Sequence, residues 1–167
     1  MAQYLSNLPT GALVKFGKHQ IGSEGAQSII WRVADKNHAG YPSNSVTLIT
    51  DKLIDSLHWD EMESPGYTRN INYGLSNINQ WLNSAGEANK WYTASHSTDA
   101  APSYATRAGF LYHFSEKERL ALLPTTINVQ VGDEILGSIT PKVFIPSLAE
   151  LVGTGISTDG SSRFNRL

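Results

Sequence analysis

The amino-acid sequence predicts an α+β domain: a small, twisted, mainly antiparallel sheet with two or three short helices. Three observations carry this. The chain has 167 residues, 40% hydrophobic and 17% charged, enough apolar material for one hydrophobic core and too little length for two. Apolar residues alternate at period two over several short stretches, as strands require, and recur at three-and-four spacing over two others, as short helices require. No stretch approaches the ~20 apolar residues needed to cross a bilayer, so membrane insertion is not expected.

The elements follow in chain order. Ala12, Val14 and Phe16 alternate with Leu13 and Lys15, which predicts a strand, with Gly17 opening a polar turn. From Ser28 to Ala34, Ile29, Trp31 and Val33 share one face while Ile30 and Arg32 share the other, the pattern of a central, mostly buried strand. Val46 to Ile49 reads as a third strand. Asp51 is placed to N-cap a short helix that buries Leu53, Ile54 and Leu57. Leu75, Ile78 and Leu82 fall on one helical stripe with Trp81 beside it, opposite the amides of Asn77, Asn79, Gln80 and Asn83. Ser115 and Glu118 form a capping box for a helix running through Leu120 and Leu123 until Pro124 stops it. Ile127, Val129 and Val131 alternate with Asn128 and Gln130 as a strand with one wet face, and Val143 to Ile145 reads as another between Pro141 and Pro146. Ser147 and Glu150 repeat the capping-box pattern. The roughly 25 residues from Ser84 to Gly109 lack periodicity, as functional loops do. Residues 1–151 are read as a single α+β domain, and residues 152–167, rich in Gly, Ser and Thr, as a tail or docking arm.

Composition narrows the chemistry. A formal charge of −2 and 13 scattered Lys and Arg residues make no field for a phosphate backbone, so nucleic acid is not an expected partner. The absence of cysteine removes disulfides, thiol nucleophiles and Cys-based zinc sites. Met1 to Phe16 has neither a basic leader with an apolar run nor a cleavage site, so no signal peptide is expected and synthesis is in a cytoplasm. Gly155-Ile-Ser157-Thr-Asp159 fails the nucleophile-elbow pattern at its last position, and Gly153-Thr-Gly155 lacks the third glycine of a dinucleotide fingerprint. No cofactor is expected.

His19, His38, His58, His96 and His113 are each isolated in sequence, which favours structural over metal-ligating roles, and no metal site is expected. The most chemically loaded stretch holds His58, Asp60, Glu61 and Glu63 around Trp59. It reads first as a solvated acidic loop; paired carboxylates of an envelope-degrading hydrolase are the rival reading. Calcium at this cluster, or at Asp133 with Glu134, stays open. The aromatics weigh more. Tyr67, Tyr73, Trp81, Trp91, Tyr92 and Tyr104 lie in one stretch dense in Asn and Ser, and flat rings beside amides suit a carbohydrate or protein epitope. Trp81, on a helical stripe, belongs to the core; Trp91, Tyr92 and Tyr104 are the candidate ligand-binding residues, and no catalytic residue is assigned.

Several phrases read together: Ile29-Ile-Trp-Arg-Val33, Leu48-Ile-Thr-Asp-Lys52, Ser76-Asn-Ile-Asn-Gln-Trp-Leu-Asn-Ser84, Gly109-Phe-Leu111, Phe114-Ser-Glu-Lys-Glu118 with Leu122-Leu-Pro-Thr125, and Lys142-Val-Phe-Ile-Pro-Ser147. From about Leu13 to Leu151 they resemble a family of domains of unknown function found in prophages and genomes of Gram-positive bacteria. The resemblance implies a bacteriophage virion protein, often tail-associated, similar to C-type-lectin-like and formylglycine-generating-enzyme-like folds. The enzyme branch of that fold uses cysteines, so oxidase activity is not expected of this cysteine-free chain, which is read as a binding or structural module and not an enzyme. Family members continue past the Val143 to Ser147 segment into a second half, which implies a partial lectin-like unit here. The expected setting is the virion, as a homo-oligomer within a particle. The expected partners are neighbouring virion subunits, a host cell-surface glycan or a host protein; a head decoration or purely structural virion protein is the alternative.

Overall fold

Strands β1 (Leu13–His19), β2 (Gln27–Lys36) and β3 (Val46–Thr50) form an antiparallel sheet with β2 at its centre. The computed structural model describes residues 4–20, 22, 24–60, 72–94, 100–130, 136–147 and 150. Ile29, Trp31 and Val33 are buried on one face of β2 while Arg32 on the other is exposed, so the expected inward set is correct but the outer face is wet. Asn37 and Asn44 adopt left-handed φ values of 53° and 60° in the β2–β3 connection, where Asn37 N–H donates to the Ser45 carbonyl. Asn tolerates this region better than other side chains because its short amide can bond locally.

Gly17 does not open a turn. The strand continues to His19 through a bulge between Lys15 and Lys18, and Gly17 takes φ +68° there. A Cβ at this position would stand 2.2 Å from the Phe114 ring. The inserted residue resets the alternation, so His19 turns inward and Lys18 outward.

The helix expected after Asp51 does not form. The Asp51 carboxylate is taken by Arg32 on β2, and its N–H donates to the Ile30 carbonyl, so the chain leaves β3 through a bend at Asp51 and Lys52 with no helix. Leu53 is 89% exposed, while Ile54 and Leu57 pack on the core.

Helix α1 (Asn77–Leu82) follows a 3-10 turn at Tyr73–Leu75 and is short because its capping, not its length, secures it. All four first-turn N–H groups are satisfied: Asn77 by the Asp60 carboxylate, Ile78 by the Trp59 carbonyl, Asn79 by Ser76 Oγ and Gln80 by the Ser76 carbonyl. Ile78, Trp81 and Leu82 are buried, whereas Leu75 lies before the helix and is exposed. Helix α2 (Glu116–Ala121) carries the expected capping box, with Ser115 Oγ accepting from Glu118 N–H and Glu118 accepting from Ser115 N–H. It ends before Leu123, and Leu120 and Leu123 are exposed. The other Glu118 oxygen accepts from Gly17 N–H at 2.8 Å, so the same carboxylate ties the cap to the β1 bulge. Burial would raise the Glu118 carboxyl pKa, but the hydrogen bonds from Gly17 and Ser115 outweigh it and hold it below its ordinary value. Ser115→Ala is expected to cost about 1 kcal/mol in urea denaturation, the usual worth of a lost N-cap.

Strands β4 (Ile127–Gln130) and β5 (Leu136–Ile139) form a second antiparallel sheet, with Ile127 and Val129 buried and Asn128 exposed. The four residues of β5 lacked an alternating signal. Val131, Asp133 and Glu134 lie outside the described residues.

Residues 143–145 are not a strand. Asn83 replaces a ladder: its Oδ1 accepts from Lys142 and Val143 N–H at 2.8 and 3.1 Å, and its Nδ2 donates to the Val143 carbonyl at 2.9 Å. The Tyr73 hydroxyl then accepts from Ile145 N–H. Pro141 and Pro146 lack the N–H groups a strand would use, so side chains satisfy the segment between them. The reciprocal Ser147 and Glu150 bonds are present, with Ser147 Oγ accepting from Glu150 N–H at 3.3 Å.

One aromatic core joins these elements. Trp81 is 2% exposed and meets Phe110, Tyr104 and His19, while Phe110 contacts Phe114 and Phe114 reaches Phe16. The observed architecture is thus a small α+β fold of antiparallel sheets and short helices. Among the described residues no helix is long and apolar enough to cross a membrane.

Candidate functional site

The three sequence candidates fall together but face inward. Trp91 stacks on Tyr104 with centroids 5.8 Å apart and planes 17° apart, and the two rings are 7% and 5% exposed. Trp91 Nε1 donates to the Arg107 carbonyl and Tyr104 OH to the His58 carbonyl. Both rings are core, where aromatic burial is worth most. Tyr92 is half-buried with its ring edge-on to Trp91, and its enclosed hydroxyl meets no hydrogen-bond partner among the described residues. Burial, with the Asp60 charge adding to it, raises the Tyr92 pKa.

The expected loop from Ser84 to Gly109 is thus an anchored one. It contains a 3-10 turn at Ser103–Thr106, and its ends are pinned by Gly109 N–H to the Gly86 carbonyl and Leu111 N–H to the Ser84 carbonyl. A Cβ at Gly109 would stand 2.4 Å from the Ser84 carbonyl oxygen, so only glycine allows that crossing.

Asp60 is committed to the first turn of α1. Glu61, Glu63 and Tyr67 lie outside the described residues. Among the described residues no group of three or more His, Asp or Glu side chains could hold a metal ion.

The structure instead assembles a charged cluster whose members are far apart in sequence. His19 Nε2 lies 3.0 Å from Asp55 Oδ2, and Arg107 binds both oxygens of the same carboxylate. The carboxylate fixes the imidazole tautomer: Nε2 carries the proton and donates, because a bare nitrogen would set its lone pair against oxygen lone pairs. The 3.3 Å approach of Arg107 Nη2 to His19 Nε2 is then a contact of two donors sharing one acceptor. Trp81 closes the cluster from one side, edge-on to His19 and with the Arg107 guanidinium 5.7 Å from its ring centroid.

Burial lowers the His19 pKa; Asp55 opposes this, and the positive Arg107 and the nearby His113 reinforce it. Burial raises the Asp55 carboxyl, but hydrogen bonds from Arg107 and His19 outweigh that and leave it below its ordinary value. At neutral pH the cluster is therefore a carboxylate–guanidinium pair with a neutral imidazole. The unfolded chain takes up the His19 proton more readily than the folded one, so stability declines as pH falls below about 6.5 and this decline levels off below the folded pKa. The Asp55 contribution persists further and is lost only as pH falls through its depressed folded pKa. Urea midpoints between pH 7.5 and 5 are expected to fall for the native chain and to flatten for His19→Gln, which keeps an N–H donor without a titrating ring.

Of this cluster, sequence inspection isolated His19 but offered no link to Asp55 or Arg107. The available signal was weak: a histidine two residues beyond a strand glycine.

A family model described as a domain of unknown function, DUF6273, matches residues 44–166. No curated protein and no solved structure matches the chain.

Proposed function

We propose that this chain, which belongs to the DUF6273 family, is a non-enzymatic binding module on the surface of a bacteriophage or prophage virion, tail-associated and repeated within a symmetric particle. Its partner is a host envelope component or a neighbouring virion subunit, and its scaffold is the C-type-lectin-like one that the sequence phrases resemble.

The observation that carries this reading is how the irregular segments are held. Trp31, Trp81 and Trp91 donate their indole N–H groups to the carbonyls of Phe16, Ala108 and Arg107, and Tyr104 donates to that of His58. Core rings thereby fix connecting backbone at Ala108, Arg107 and His58, and the β1 bulge at Phe16. Preordered loops lose little entropy on binding, which is the property a recognition module needs. The chain is also rich in Asn, Ser and Thr and poor in charge, a composition that suits a recognition surface. Repetition in a particle makes weak single contacts sufficient through avidity.

The test is immunogold electron microscopy, with an antibody against this domain, on particles of the phage or prophage that encodes it. Gold at the distal tail is the expected result. Gold confined to the head would replace host recognition by a decoration role, and unlabelled particles would remove the virion reading.

A further inference from the structure

We propose that a cleft formed by β1, β2 and the segment leaving β3 at residues 51–54 is a docking surface for an acidic, aliphatic-bearing segment of a partner protein. A cleft of about 570 Å³ lies there, its lining including the aliphatic Leu13, Ile30 and Ile54, the charged Lys15, Asp51 and Lys52, and the buried His19 and Ile29. That volume falls in the range of preformed binding sites, ~300–1,000 Å³.

Charge selects the occupant. Neither Lys15 nor Lys52 makes an ion pair among the described residues, whereas the carboxylate of Asp51 is already held by Arg32. The cleft therefore offers two ammonium groups that no described carboxylate pairs, on a chain whose formal charge is −2, so its positive sign is local and not a general basicity. Such an arrangement steers an acidic partner and rejects a basic one.

Apolar exposure supplies the second criterion. Leu13 is 54% exposed and Leu53, next to Lys52, is 89% exposed, although Ile54 turns inward beside it. Leu53 contributes nothing to the core, and a partner that covers it removes apolar surface from water. The one ring in the lining, that of His19, is buried against Trp81 and Phe110, which leaves no open aromatic face for a sugar to stack on and favours a peptide over a saccharide. Two such cations are too few to compete for a nucleic-acid backbone.

The experiment is amide NMR of the full chain titrated with acetyl-Asp-Leu-Asp-Leu-Glu-amide, with acetyl-Lys-Leu-Lys-Leu-Lys-amide as control. The acidic peptide is expected to shift the amides of Lys15, Ile30 and Lys52, and the basic peptide is not. The double reversal Lys15→Glu/Lys52→Glu changes two exposed side chains and leaves the fold intact; it should weaken the acidic peptide at least ~10-fold and admit the basic one. Leu53→Ser should weaken binding several-fold without altering the charge preference. Equal response to both peptides, shifts mapping elsewhere, or insensitivity to the reversal overturns the proposal. The titration uses no particles, so its failure leaves the virion reading intact, and the converse also holds.

Discussion

Asp55→Ala is expected to lower the unfolding free energy by about 3 kcal/mol, the low end of the range for breaking a buried ion pair. The carboxylate is the shared acceptor for two donors from different parts of the chain, His19 at the end of β1 and Arg107 after the 3-10 turn. Its side chain is 16% exposed and that of Arg107 32%, so the guanidinium stranded by the substitution can recover part of its hydration. This partial access keeps the cost from the upper end of the range. Asp55→Asn retains one acceptor oxygen and should cost less. Urea denaturation measures both, and a double-mutant cycle with Arg107→Ala isolates the pair from the packing of Arg107 on Trp81. A loss under 1 kcal/mol for Asp55→Ala would show the cluster to be incidental to the fold. Hydrogen exchange should also quicken at residues 51–58, which leave β3 without helical bonds and whose side-chain ties include Asp55 beside the packing of Ile54 and Leu57.

Asn83→Ala is expected to cost about 3 kcal/mol, because one amide serves several backbone groups at roughly 1 kcal/mol each. It accepts from Lys142 and Val143 N–H, donates to the Val143 carbonyl, and donates back to the Asn79 carbonyl in α1. The half-buried Val143, Phe144 and Ile145 pack on the core only while that segment is held. The substitution should therefore release residues 141–146 as a unit, seen as faster amide exchange there, while β1–β2–β3 exchanges as before. Asn83→Asp keeps the two acceptor contacts but turns a charged oxygen toward the Val143 and Asn79 carbonyls, so it should cost no less than alanine. An exchange pattern unchanged at residues 141–146 would contradict the clamp.

The parts of the molecule legible from sequence are those decided by neighbours along the chain. Alternation in Ile29, Trp31 and Val33 identifies the inward face of β2, because side chains of a strand point to opposite faces whatever surrounds them. Ser115 with Glu118 identifies the start of α2, because a capping box closes within four residues. The burial of Trp81 follows from its place beside the apolar stripe of α1.

What failed did so where a distant group competed for a local one. Asp51 could cap a helix, but Arg32 offers a full charge across the sheet and takes the carboxylate. Residues 143–145 carry strand-forming side chains, yet the flanking prolines leave their backbone to be satisfied by Asn83 and Tyr73, more than fifty residues away in sequence. Trp91 and Tyr104 sit in a stretch without periodicity, and their stacking together with hydrogen bonds to the Arg107 and His58 carbonyls turns the two rings inward. The sequence by itself determined a small α+β chain of short antiparallel strands and capped helices, because propensity, alternation and capping act over a few residues. The tertiary structure alone decided that His19, Asp55 and Arg107 meet, because a bulge at Gly17 and an uncapped exit from β3 bring together groups with no shared local pattern.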